Sequence, residues 1–306
     1  MRSNIVPKFL AWTQKDPENR LGFRGGRYTS VNNFSAVILA VVLSLLTYAI
    51  MIFAIKPMQS LQFIANAFLR PDNLLTLIPA TLFFYWGMAV LFFKRGKLNF
   101  QSKALELEAI PNEPDFILNE TTAHEALLRI NGLVDHPRHF VLLNRIDRAL
   151  SSLRNIGQIN DVSSILRAQA ENDEDQVASS YTVVHGLVWA IPVLGFIGTV
   201  QGLSMAMGGF GKTLQASGAD MEAIRTSLQG VAGGLATGFE TTLVALLYAL
   251  FLQLGITFQQ QKEMSFLDEC NDYCHSRVVS KLRLFTQPQP EYSSEENTDT
   301  ETPAET

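Results

Sequence analysis

Charge is almost absent from four long stretches of this sequence. Residues 35–55 and 74–93 contain no Asp, Glu, Lys, Arg or His, residues 184–207 contain only His185, and residues 231–254 only Glu240. About 20 apolar residues suffice to cross a bilayer, so each stretch is expected to be a membrane span. Cysteine is also scarce. Cys270 and Cys274 are the only two, they follow the last apolar run, and a disulfide scaffold is excluded; they read as two reduced cysteines on one helical face. No phosphate loop, dinucleotide fingerprint, nucleophile elbow or catalytic metal signature occurs, so neither an enzyme nor a cofactor is expected. No cleaved signal peptide is expected either, because the first apolar run begins beyond residue 30 and is too long for one.

What is present divides the 306 residues, 47% of them hydrophobic with a net charge of −5, into alternating apolar and polar segments. The expected organisation is an N-terminal interfacial segment (1–34), spans one and two with a short outside loop (35–96), a helical cytoplasmic domain (97–180), spans three and four (181–260), a cytoplasmic helix (261–286) and a disordered acidic tail (287–306). The fold class is therefore all-α, a four-span membrane protein whose long helices continue into a helical domain. Basic residues set the orientation. Arg2, Lys8, Lys15, Arg20, Arg24 and Arg27 precede the first span, Lys94, Arg95, Lys97 and Lys103 follow the second, and Lys262, Arg277, Lys281 and Arg283 follow the fourth. The two intervening loops hold only Lys56 with Arg70, and Lys212 with Arg225. Both termini and the central domain are expected on the cytoplasmic side.

Several local features have bland and sharp readings. Phe9, Leu10 and Trp12 suggest a short helix on the membrane surface, and the RGGR turn at 24–27 a contact with lipid headgroups. Leu61, Ile64, Ala65 and Phe68 share a face, as in a helix lying on the outer interface. In the central domain Asn119 opens a helix that Gly132 closes, Asp135-His136-Pro137 starts the next, which stops at Gly157, and Asp161 caps a third. No Pro or Gly follows before Gly186, so the third span is expected to be one long helix beginning inside the cytoplasm. His124, His136 and His139 are too dispersed for a metal site, and the acids of 171–175 read as a solvated face.

Spans three and four carry the informative pattern. Pro192, Gly195, Thr199, Gly202 and Ala206 form one stripe, with Gly198 and Gly202 adding a GxxxG spacing. Gly234, Gly238, Thr242, Ala245 and Ala249 form another. The glycines alone fit a tightly packed helix pair; the threonine in each stripe adds a hydrogen-bonding group suited to lining an ion pathway. Glu240 lies about 200° around the helix from Thr242. Thr237 and Thr241 are within reach to hydrogen-bond its carboxyl, and a mid-membrane acid is either a pathway group or a structural bond.

The segments IPVLGFIGTVQGL and GGLATGFETTLVALLYA resemble, in order and separation, the last two helix signatures of the MotA/TolQ/ExbB proton-channel family. The likeness covers about residues 160–260. The four spans look like the flagellar-stator branch and the Gly-Thr-Val wording like the TolQ/ExbB branch. The resemblance implies a bacterial inner-membrane homopentamer around two copies of an ExbD/TolR/MotB-like partner, whose single membrane helix supplies an ion-carrying aspartate. Protons, or sodium in some members, would be carried, with membrane lipid around the ring and no nucleic acid involved. The family's lining threonines map onto Thr199 and onto Thr242 or, one residue away, Thr241. An acid that the TolQ/ExbB branch places near the start of the last signature falls at Thr237, and Glu240 lies one turn further on. Because the chain's own spans hold so few titratable groups, conduction would need the partner's carboxylate. A non-conducting scaffold that anchors a partner is the alternative.

Overall fold

A computed structural model describes residues 10–12, 18, 26, 28–57, 67–111, 113, 116–152, 159–216 and 221–282. Among these residues the only β-type pairings are two isolated bridges, Leu10 with Val134 and Leu118 with Leu282. The expectations for Phe9, the RGGR turn as a whole, residues 61–65, Gly157 and the tail lie outside the described residues.

Helix α1 spans Asn33–Ile50, capped by Asn32 through its side chain and prolonged by a π-helical turn at Met51–Ile55. Helix α2 spans Pro71–Gln101, with Pro71 in the first turn, where its missing N–H has no helical partner to lose. Helix α3 (Glu120–Leu133) is opened by a capping box between Asn119 and Thr122. A 3₁₀ turn at Pro137–His139 leads into α4 (Val141–Ser152). Then come α5 (Ile159–Ser179), α6 (Thr182–Ala216) and α7 (Met221–Cys274).

Four helical stretches are long and apolar enough to cross a membrane: Asn33–Ile55, Pro71–Ala104, Asp161–Lys212 and Met221–Val279. Each contains one of the expected spans. The third and fourth run for 52 and 59 residues, roughly 80 and 90 Å at 1.5 Å per residue, against a hydrocarbon core of about 30 Å. They therefore continue well outside it. The third stretch is not one unbroken helix, as the lack of Gly and Pro suggests it should be. It turns at Ser180–Tyr181, where the Ser180 hydroxyl donates to Val177 O (2.6 Å) and accepts from Lys94 Nζ (2.7 Å). Nor does Asp161 cap α5; it sits in the first turn.

Outside the spans, α3, α4, α5 and the end of α7 enclose a core that includes the fully buried Leu118, Ile130, Phe140, Leu142, Leu143 and Ile146. Leu10 and Trp12 belong to it rather than to a membrane surface. The Leu10 N–H donates to Leu133 O, that of Trp12 to Asp135 Oδ1, and the Trp12 ring packs on Phe100, His139 and Phe140. The acidic face of α5 is also less solvated than its sequence suggests, since Asp173 turns inward to Arg145 at 2.7 Å.

Candidate functional site

The seam between α6 and α7 is built from the two stripes of small residues. A side chain placed on Gly195 would meet Ala245 and Thr242, one on Gly202 would meet Gly234 O at 2.7 Å, and one on Gly238 would meet the Thr199 backbone at 2.8 Å. The glycines thus let the two backbones touch, and in one chain the stripes face each other. Pro192 sits half-buried within α6.

At the centre of the seam Thr199 and Thr242 meet hydroxyl to hydroxyl. The Thr199 hydroxyl lies 3.0 Å from Gly238 O and that of Thr242 3.0 Å from Gly195 O, so each reaches the other helix, and with one proton apiece the two hydroxyls can donate in only two of these three contacts. Thr241 points elsewhere. It is buried, donates to Gly238 O at 2.8 Å, and occupies the space left open by Gly198, beside Thr76 of α2. The residue brought against Thr199 is Thr242.

Glu240 takes neither threonine as its partner. Its carboxylate pairs with Arg70 at 3.3 Å, and the same guanidinium nitrogen donates to Thr237 Oγ1 at 3.0 Å. The Thr237 hydroxyl itself donates to Gly233 O. Arg70 is the N-cap residue of α2, so Glu240 lies level with the start of the second span rather than at mid-depth. A paired acid at the end of a span is far cheaper than an isolated one at the centre. The sequence carried a faint signal of this pairing. Arg70 is one of two cations in its loop and immediately precedes a helix-starting proline, while Glu240 is the lone acid of the last span.

The other ends of these helices are tied by groups that look in the sequence like simple flanking charges. Lys94 and Lys97 do not lie on the surface. Lys94 pairs with Glu263 of α7 at 3.2 Å, both side chains 1% exposed, and stands 4.0 Å over the Tyr181 ring. Lys97 pairs with Glu18, which also accepts from Asn32 N and Ser35 Oγ. His185, the only ionisable group on the third span, is exposed beside Gln260.

The sequence model of the MotA/TolQ/ExbB proton channel family matches residues 136–270, a segment holding α4, α5, α6 and nearly all of α7. This segment, somewhat under half of the chain, is similar to that family. No curated protein and no solved structure matches it. The family segment thus includes the entire Thr199–Thr242 seam and the Glu240 and Glu263 ends of the ion pairs. Their partners Arg70 and Lys94 come from α2, before it.

Proposed function

We propose that this chain is the ring-forming subunit of a channel that converts an ion-motive force into mechanical work through a single-span partner carrying a membrane carboxylate. It would be a homopentamer in a bacterial inner membrane, with two partner copies and both termini in the cytoplasm. The observation that carries the reading is the paired hydroxyls of Thr199 and Thr242 in a seam without ionisable groups. Each hydroxyl can spend its single proton on a backbone carbonyl of the opposite helix, which leaves oxygen lone pairs as acceptors. Such a site welcomes a carboxylic acid in its protonated form, which donates, and disfavours the bare carboxylate. A partner acid protonated on the outer side would be held there neutral and would discharge inward. The membrane potential would drive the cycle with about 2.3 kcal/mol per charge per 100 mV. The fall of lysines and arginines supports the orientation. The carried ion is a proton or sodium; the partner's carboxylate would do most of the selecting.

The alternative is a non-conducting scaffold, in which the bonds from Thr199 and Thr242 to carbonyls across the seam serve only to join the two helices. Native mass spectrometry of the tagged protein, taken in mild detergent from its own host, separates the two. Five copies of the chain with two of a small single-span protein support the motor subunit; a monomer, a dimer or a partnerless ring refutes it.

A further inference from the structure

A groove of about 380 Å³ runs along α7 within the fourth span, on a face turned away from the seam with α6. Its wall includes Leu243, Leu247 and Phe251 of α7, all exposed, and the rings of Phe84 and Tyr248, which stack with centroids 4.5 Å apart at 12°. Glu240 stands at one end of it and Phe251 at the other. Between them the helix rises roughly 16 Å, about half of a hydrocarbon core that is some 30 Å thick. The groove is therefore as deep as one leaflet, and its head is at the Arg70 end.

An apolar groove that opens on hydrocarbon selects little by itself, because lipid tails are as apolar as its wall. Selection has to come from the head. Glu240 is the one ionisable residue among those lining the groove, and it brings Arg70 with it. Both side-chain bonds of Arg70 leave from Nη1, and 45% of the side chain is exposed, so among the described residues the N–H groups of Nε and Nη2 have no acceptor. Glu240 likewise receives its bond on Oε2 alone. The pair thus presents spare donors suited to a phosphate beside a spare acceptor suited to an ammonium. Asp72, in the first turn of α2, adds a second carboxylate at this end. A headgroup carrying only negative charge would meet two like charges for one opposite, whereas a zwitterion meets partners of both signs.

We infer that this groove is a binding site for phosphatidylethanolamine, drawn from the leaflet at the Arg70 end. One acyl chain fills the groove, the phosphate accepts from Arg70, and the ammonium donates to Glu240. A choline headgroup has the same charges but no N–H to donate, and a glycerol headgroup has no cation. Each chain carries one such site, in which the lipid ties the start of α2 to α7. The inference needs only a chain that spans the membrane, and it stands apart from the ion flow proposed above.

Native mass spectrometry of the full-length protein in mild detergent tests it, with dioleoyl phosphatidylethanolamine, phosphatidylcholine or phosphatidylglycerol added singly. The expected result is one ethanolamine lipid per chain, retained at no more than a tenth of the concentration the other two require. Leu247→Trp fills the groove without touching the ion pair and should cut that retention at least fivefold. Arg70→Met should bring the three lipids to equal retention. Equal retention by the wild type overturns the inference and needs no variant to show it; a preference that survives either substitution, with helix content unchanged by circular dichroism, overturns it as well. Ethanolamine lipid held by single chains but excluded from their assembly would give the groove to a second copy and overturn it too. The number of chains is read from the same spectra, so a ring without bound lipid refutes this site alone, and lipid on a lone chain refutes the ring alone.

Discussion

Gly238→Ala should push α6 and α7 apart, and the structure sets how far. The added carbon would stand 2.8 Å from Thr199 Cα and 3.2 Å from Thr199 O. Ordinary carbon contacts are 3.5–4.0 Å, so the helices must separate by roughly 0.7–1 Å at this point. Two hydrogen bonds cross the seam here at 3.0 Å, Thr199 to Gly238 O and Thr242 to Gly195 O. The same displacement takes both beyond bonding distance. Overpacking costs about 1–3 kcal/mol, and each interhelical bond lost in a membrane about 0.6 kcal/mol. Against this stands the helix propensity gained on replacing Gly by Ala, about 1 kcal/mol. The net expectation is a loss of about 1–3 kcal/mol. Gly233→Ala is the matched control. It lies five residues away on the same helix with nothing within 4 Å, so it should be neutral or slightly stabilising. Unfolding of the purified protein in detergent, followed by circular dichroism, reads both variants. Wild-type stability in Gly238→Ala would refute the close-packed seam, and an equal loss in Gly233→Ala would show that the glycine, not the contact, is what matters.

Glu263→Gln leaves Lys94 buried without its counter-charge and should cost about 3–5 kcal/mol in the same assay. Replacing both residues by methionine should recover most of that, and a double variant as unstable as the single one would contradict the assignment. Burial pushes the thiols of Cys270 and Cys274 up, that of Cys274 to about 12. An ordinary thiol ionises near 8.5, so at pH 8 these two hold almost no thiolate. Maleimide should react with them only after unfolding, and rapid reaction of the folded protein at pH 8 would show that they are not enclosed.

How legible the fold was depended on which signal each feature left in the chain. The spans, the facing stripes of α6 and α7, and the Asn119 cap were legible because a periodicity or a cap residue marks them locally. Features made by distant residues were not. Lys94 and Lys97 read as flanking charges because nothing near them announces Glu263 or Glu18, which approach only after the chain folds back. The break at Ser180 has no Gly or Pro, and its hydroxyl instead bonds a lysine 86 residues away, Lys94. Trp12 beside lysines imitates a membrane anchor, yet a partly aromatic pocket of the helical domain takes it. In the candidate site the spacing proposed Thr199 with Thr242, and the family resemblance left Thr241 as the alternative. Only the helix crossing separates them, because adjacent residues point about 100° apart and a one-residue shift selects a different neighbour.

The most direct measurement of the central claim is proton and sodium flow into vesicles holding the purified complex, wild type against Thr242→Val. The substitution removes one hydroxyl from the seam and keeps its volume, at a stability cost of about 1 kcal/mol. The expected result is an intact complex of unchanged composition whose flow falls at least tenfold. Flow at the wild-type level in that intact complex would contradict the account.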